Sequence, residues 1–210
     1  MPIRKLLTVL FLGISITPVS VASSADLPEH LEGLDDHVIA AMQTMELPGL
    51  ALAIVDESGI VITRGYGVQK VSSSAKVDEK TLFEIGSITK TFTATAIGVL
   101  VERGDISWAT PIREHIPYFE LDNPYVSDTF TLTDALSHRG GYVDSYFYDH
   151  TTDMGRAELI RRLKFEKPVK PFRTGFEYHN AIFATAAEVI PILTGEPWVS
   201  FIKDHVLKPL

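Results

Sequence analysis

The sequence predicts an α+β protein in which an antiparallel hairpin precedes a series of helices. Leu50 to Val55 is a continuous apolar run, Asp56-Glu57-Ser58-Gly59 has turn chemistry, and Ile60 to Thr63 is β-branched, the pattern of a hairpin buried on at least one face. From Ile88 onward the apolar spacing changes to three and four residues, which is helical. Both convincing strands lie before the central helix that starts near Ile88, and strands followed by a run of helices is the α+β order.

Composition bounds the function before any motif is considered. With 210 residues, 45% hydrophobic, 22% charged and 10% aromatic, the chain is ordinary globular material of one domain or one and a half, and neither disordered nor fibrous. Lysine plus arginine, 19, minus aspartate plus glutamate, 27, gives −8, with no basic stripe to neutralise phosphates, so a nucleic-acid partner is not expected. There is no cysteine, which excludes disulfides, thiolate nucleophiles, cysteine zinc sites and a lipidated N-terminal cysteine together.

In chain order, Arg4 and Lys5 precede an apolar stretch from Leu6 to Val21, followed by the small residues Ala22, Ser23, Ser24 and Ala25. This is the pattern of a secretory signal over residues 1–25, cleaved after Ala22 or, preferably, Ala25. Gly13 and Pro18 interrupt it, leaving it short of the roughly 20 apolar residues a spanning helix needs. The mature chain is then expected to be secreted or periplasmic, with no second segment able to span a membrane.

Leu31, Leu34, Val38, Met42 and Met45 predict an amphipathic helix within 27–45, stopped by Pro48-Gly49. After the hairpin, Gly65 and Gly67 end the second strand, and residues 68–81 are a polar, serine-rich loop. Ile88, Phe92, Ala96, Ile97, Leu100 and Val101 share one face of a helix that Gly104 closes, and its scarcity of charge predicts burial. Further helices are expected around 111–117, 132–138, 156–164, 180–194 and 197–206. Pro111, Pro117, Pro124, Pro168 and Pro171 make 105–180 an irregular helical subdomain.

Two short constellations carry chemistry. Ser87-Ile88-Thr89-Lys90 puts a hydroxyl and an amine on one face at a helix start, where the lysine can take the serine proton and unpaired amides, that of Ser87 included, can hold an oxyanion. Gly86 lets a substrate approach the backbone. The same spacing occurs at Ser73 with Lys76 and Ser200 with Lys203, but one lies in a polar loop and the other within an amphipathic helix. A serine at position 87 that merely caps the helix is the competing reading. The second constellation, Tyr178-His179-Asn180, precedes an apolar helix: the phenol can relay a proton and the amide can orient a carbonyl. Its bland alternative is a core aromatic followed by an asparagine N-cap. The seven histidines are scattered, His30 and His37 are seven apart, and no HExxH pattern exists, so neither a metal nor another cofactor is expected.

With their surroundings these motifs resemble the serine β-lactamase and penicillin-binding-protein superfamily, in its class C β-lactamase, D-alanyl-D-alanine carboxypeptidase and esterase branch. The resemblance runs from Pro48-Gly49-Leu50-Ala51 through Gly65-Tyr66-Gly67, Phe83-Glu84-Ile85-Gly86-Ser87-Ile88-Thr89-Lys90 and Leu136-Ser137-His138-Arg139-Gly140-Gly141. It continues through Phe176-Glu177-Tyr178-His179-Asn180 and Leu193-Thr194-Gly195 to Lys208-Pro209-Leu210. It implies Ser87 as acylated nucleophile, Lys90 as its proton partner, Tyr178 as general base and Asn180 as a substrate-amide contact. It also implies a β-lactamase-like fold with a helical subdomain inserted into an antiparallel sheet.

This chain departs from the family pattern in carrying His179 where a serine is usual and Arg139-Gly140 where Thr-Ser is usual. Arg173-Thr174-Gly175 looks like the third family motif but precedes Tyr178, the wrong order, and reads as a turn. Residues 26–210 are therefore expected to be a serine hydrolase domain incomplete at its C-terminus, holding only the N-terminal strands. The implied substrates are β-lactams, D-alanyl peptides or small esters. The alternative is a non-catalytic module that keeps the fold to bind peptidoglycan or a protein.

Overall fold

The computed structural model describes residues 21–22, 27–57, 59–144 and 153–210; apart from Val21 and Ala22, the expected signal segment lies outside them, as does Ser58 of the hairpin turn. Two compact units divide the chain, Met1–Glu84 and Ile85–Leu210. Among the described residues no helix is long and apolar enough to cross a membrane.

The first unit holds the sheet. β1 (Val21–Ala22), β2 (Gly49–Asp56) and β3 (Gly59–Gly67) are antiparallel in the order β1-β3-β2. The hairpin is where the sequence places it, with its register running from Gly49 opposite Gly67 to Asp56 opposite Gly59 and one irregularity between Ile54 and Val55. Its burial differs from expectation. β2 stays half-buried to exposed along its length, and only the second half of β3 is enclosed, with Ile62, Arg64 and Tyr66 buried. Gly65 does not end the strand either. A Cβ there would stand 2.3 Å from the carbonyl oxygen of Val77, so glycine lets the loop at Val77 lie directly on the strand.

The helix expected over 27–45 is broken at Gly33, whose left-handed φ of 81° separates a 3-10 turn, Glu29–Leu31, from α1 (Leu34–Thr44). Asp35 in the first turn of α1 accepts a 2.7 Å hydrogen bond from the Tyr66 hydroxyl and lies 3.5 Å from Nε of Arg64. Of the predicted stripe only Met42 is fully buried, while Met45 is exposed.

The second unit is helical: α2 (Thr89–Glu102), α3 (Pro124–Thr129), α4 (Leu132–Leu136), α5 (Arg156–Arg162), α6 (Asn180–Thr194) and α7 (Trp198–Ile202), the last running into a π-helical turn, Lys203–Leu207. The 111–117 region forms only a 3-10 turn, Ile112–Glu114. α3 escaped the sequence reading because it is six residues long, although Asn123 caps it through hydrogen bonds from Tyr125 and Val126 and Pro124 fills its first turn. α6 is the centre. Its Ile182, Ala186, Val189 and Ile190 pack with Ala96, Ile97 and Leu100 of α2 and with Phe130, Leu132 and Phe201 in one buried cluster.

Two loops run side by side between these helices and set the geometry of the site. The amides of Val169 and Lys170 both donate to the Gly141 carbonyl, that of Arg173 to Arg139, and that of Glu177 to His138. Gly141, at φ 82°, must be glycine because a Cβ would meet the Lys170 carbonyl at 2.3 Å. An ion pair between a buried carboxylate and a partly exposed arginine locks the arrangement. Asp134 closes the capping box of α4 with Thr131 and accepts from both Nε (2.9 Å) and an Nη (2.7 Å) of Arg173. Arg173-Thr174-Gly175 is thus the turn the sequence suggested, with Thr174 donating to Pro171.

Burial pushes the Asp134 carboxyl up, but the hydrogen bonds from Arg173 and Thr131 hold it below the usual carboxylate range. Arg173→Leu is expected to cost about 3 kcal/mol in urea unfolding at pH 7, the lower end for a broken buried pair because Arg173 itself is partly exposed. A carboxylate with a lowered folded pKa stabilises above its unfolded value, about 3.9, and that contribution fades as the pH falls through the folded one. The gap between wild type and variant should therefore close in acid, and a pH-independent gap is the result that contradicts this.

Candidate active site

Ser87 lies in a 3-10 turn, Gly86–Ile88, that runs directly into α2, so Lys90 falls one turn along on the same face. Gly86 adopts φ 52°, and among the described residues, its two chain neighbours apart, no heavy atom lies within 4 Å of where its Cβ would be. The helix is buried from its second turn onward, at Thr93, Ala96, Ile97 and Leu100, but its start is exposed, and so are Ser87 and Ile88 just before it. This corrects the expected buried helix start: in this unit Ile88 does not face the core.

The structure brings the four predicted site residues together. Oγ of Ser87 and the hydroxyl of Tyr178 are 2.6 Å apart, and Nζ of Lys90 donates to Oγ of Ser87 at 3.2 Å and to Oδ1 of Asn180 at 2.6 Å. The ammonium also stands 4.9 Å from the Tyr178 ring centroid and 5.5 Å from that of Phe183. The other two serine-lysine spacings behave as their contexts suggested. Ser73 caps its own loop by accepting from Ala75, and Ser200 sits inside α7.

The bland readings of the second constellation fail on geometry. Tyr178 is 38% exposed, no core aromatic, and the N-cap of α6 is His179, whose ring nitrogen accepts from the Ile182 amide at 3.3 Å. Asn180 is instead the first residue of α6. Its amide spans two charges, with Oδ1 toward Lys90 and Nδ2 donating to Oδ2 of Asp144 at 2.7 Å. The side chain that the resemblance assigns to a substrate amide is therefore engaged within the protein at both its oxygen and its nitrogen.

Partial burial pushes the Tyr178 phenol up, but hydrogen bonds with Lys90 and Ser87 and the Lys90 charge bring it net below its ordinary value of 10, against a contrary push from Asp144. A hydroxyl shared between such a phenol and an ammonium is placed to lose its proton.

Sequence reasoning missed the supporting residues. The His138 ring packs against that of Tyr178 at 4.5 Å with a 30° tilt, and lies against Phe176 and Phe183. Its Nδ1 accepts the His179 amide at 3.1 Å. Burial first, then the charges of Lys90 and His179, hold His138 down to about 4 despite Asp144, so it is a neutral ring at neutral pH. It was visible within Leu136-Ser137-His138-Arg139-Gly140-Gly141, but nothing in that run assigned it a contact. Asp144 carried no signal at all. Among the described residues no group of three histidines, aspartates or glutamates could hold a metal ion.

Comparison with known proteins extends the picture. The chain is 35% identical over 182 residues to the unguisins hydrolase ungD of Aspergillus violaceofuscus (strain CBS 115571), covering 82% of this chain and 32% of that protein. The fold superposes on the octameric penicillin-binding protein homologue from Pyrococcus abyssi with a TM-score of 0.74 at 24% identity, covering 85% of this chain and 42% of that one. It also matches a D-stereospecific amidohydrolase from Streptomyces sp. with a TM-score of 0.59 at 23% identity, over 77% of this chain and 49% of that one. At those identities the structures speak to the fold alone: it is of the β-lactamase-like α+β kind. The chain spans about a third of the length of the curated relatives it matches. The family model described as Beta-lactamase matches residues 34–210. With that match running from the first residue of α1 through the Ser87 turn and the Tyr178 loop to Leu210, the chain belongs to the Beta-lactamase family.

Proposed function

We propose that the chain carries the acylating machinery of an exported serine hydrolase acting through an acyl-enzyme on β-lactams, D-alanyl peptides or small esters. The observation that carries this reading is the single hydroxyl of Ser87 held between the Tyr178 phenol at 2.6 Å and the Lys90 ammonium at 3.2 Å. In this reading Tyr178, as phenolate, takes the Ser87 proton while Oγ bonds to the substrate carbonyl carbon. The oxyanion forms near the Ser87 amide at the head of α2. Tyr178 then returns the proton to the departing nitrogen or oxygen as the acyl bond breaks, and later activates the water that releases the acid. Lys90 keeps the phenolate charged and Asn180 keeps Lys90 in place. The name of one similar protein, an unguisins hydrolase, supports a hydrolase, and that of another, a D-stereospecific amidohydrolase, favours an amide among the candidate substrates.

Ser87→Ala is expected to abolish labelling by a fluorophosphonate or a labelled penicillin, detected by intact-protein mass spectrometry. Persistent labelling of Ser87→Ala places the nucleophile elsewhere and overturns the reading, and no labelling of the wild type or of a longer form of the protein favours the non-catalytic binding module instead. With Arg173-Thr174-Gly175 ahead of Tyr178, the 210 residues do not carry the third family motif in its usual place as an oxyanion donor, so they should label yet turn over little, one such donor being worth roughly 2.7–4 kcal/mol. Turnover equal to that of a full-length relative contradicts this.

Tyr178→Phe should slow acylation by about 10²–10⁴-fold, the usual contribution of a general base. Because the active form is the phenolate, the acylation rate should rise with pH to a plateau whose midpoint lies below 10. Lys90→Gln removes the ammonium that lowers it, so the midpoint should move upward, and an unmoved midpoint assigns the limb to another group.

A further inference from the structure

His138 does no chemistry in the proposed reaction, yet it touches the Tyr178 segment at three points. Its carbonyl accepts the Glu177 amide at 2.9 Å, its ring Nδ1 accepts the His179 amide at 3.1 Å, and its ring centroid stands 4.5 Å from that of Tyr178. Glu177 and His179 are the two chain neighbours of Tyr178. The carbonyl and the ring of one residue thus hold the backbone on both sides of the phenol.

The residue type fits this task. His138 directly follows the C-cap of α4 with a φ of 57°, in the left-handed region that histidine and asparagine enter more readily than most residues. The side chain is nearly buried, at 7% exposure, with ring centroids of Phe176 and Phe183 at 5.3 and 5.4 Å. Apolar packing among those rings calls only for another ring. Taking a backbone amide calls for a nitrogen lone pair as well, and a nitrogen that accepts carries no proton, so the ring is neutral with its hydrogen on Nε2. Burial and the Lys90 charge favour that same neutral form.

We infer that His138 is a positioning residue for Tyr178: by taking the amides on both sides of the tyrosine and lying against its ring, it holds the phenol hydroxyl at Ser87 and beside Lys90. The distances that depend on this are 2.6 Å to Oγ of Ser87 and 4.9 Å from the ring centroid to Nζ of Lys90. The effect on rate rests on the serine-hydrolase reading, but the effect on the phenol does not. The charged and titratable groups facing the two rings are Lys90, Asp144 and His179, the last with Nε2 2.6 Å from Oε2 of Glu166.

The test uses the 210-residue chain labelled with ¹⁵N and with ¹³C at tyrosine Cζ, the Tyr178 signal being the one lost in Tyr178→Phe. In the wild type the Tyr178 titration midpoint should lie below 10, and the His179 amide should show a scalar coupling across its hydrogen bond to an unprotonated Nδ1 of His138. His138→Ala should move the midpoint upward as the phenol drifts from Lys90 and Ser87. It should also slow Ser87 acylation by a fluorophosphonate by about 10²-fold, the cost of a displacement of order 1 Å. Loss of folded protein lowers the amount labelled without moving a midpoint. His138→Asn, whose Oδ1 can accept the same amide at a left-handed φ, should recover most of both losses, whereas His138→Phe, with a ring and no acceptor, should not. Should His138→Ala fail to fold, the other two variants and the wild-type coupling decide. No coupling in the wild type, an unmoved midpoint in folded His138→Ala or His138→Phe, or a recovery by phenylalanine equal to that by asparagine, overturns the inference. If the midpoint follows His138 while neither the variants nor the wild type is acylated, the positioning role stands and the serine-hydrolase reading falls.

Discussion

Lys90 is the constraint around which the second unit is organised. An ammonium taken partly out of water needs acceptors, and this one finds two, the Ser87 hydroxyl and the Asn180 carbonyl, beside the faces of Tyr178 and Phe183. Those partners come from opposite ends of the unit in sequence. They meet because α2 and α6 pack through Ala96, Ile97, Leu100, Ile182, Ala186 and Ile190, which puts the head of one helix beside the head of the other. The buried apolar seam thus fixes where the charge can go, and the charge fixes which hydroxyl and which amide it selects.

The Tyr178 loop is held from the other side by its antiparallel run with residues 138–141, and by the Asp134–Arg173 pair. Arg173 adopts a left-handed φ of 64°, unusual for a side chain of its size. The strain is offset by a bidentate bond to a carboxylate that already caps α4, so one aspartate joins a helix start, a turn and the approach to Tyr178. His138, also at positive φ, reaches Tyr178 from the end of that same helix.

The parts of this arrangement that were legible in the sequence are those with local signatures. Ser87 and Lys90 share a face at helical spacing, α6 shows its apolar stripe over a full fifteen residues, and the hairpin carries its turn between two strands. Tyr178 and Asn180 became legible only through resemblance, since an aromatic before a helix is ordinarily core. The contacts of His138, Asp144 and Glu166 were not legible because their hydrogen-bond partners stand 13 to 41 positions away, which no local pattern encodes. The expected burial of β2 and of the start of α2 failed for a related reason: apolar spacing reports that a face is suited to cover, and says nothing of whether cover is present.

That exposed strand has a consequence for how the protein behaves among copies of itself. Among the described residues β2 pairs with β3 on one side and has no strand partner on the other, and Val55 and the facing Ile60 at the hairpin end are both exposed. An open edge of alternating donors and acceptors, eight residues long, is a template onto which a strand of a second molecule can add. The counterweight is electrostatic, a formal charge of −8 that makes copies repel. Salt at 0.1 M shortens the reach of that repulsion to about 10 Å, so the colloidal stability of the chain is tied to ionic strength through a strand remote in sequence from Tyr178 and Asn180.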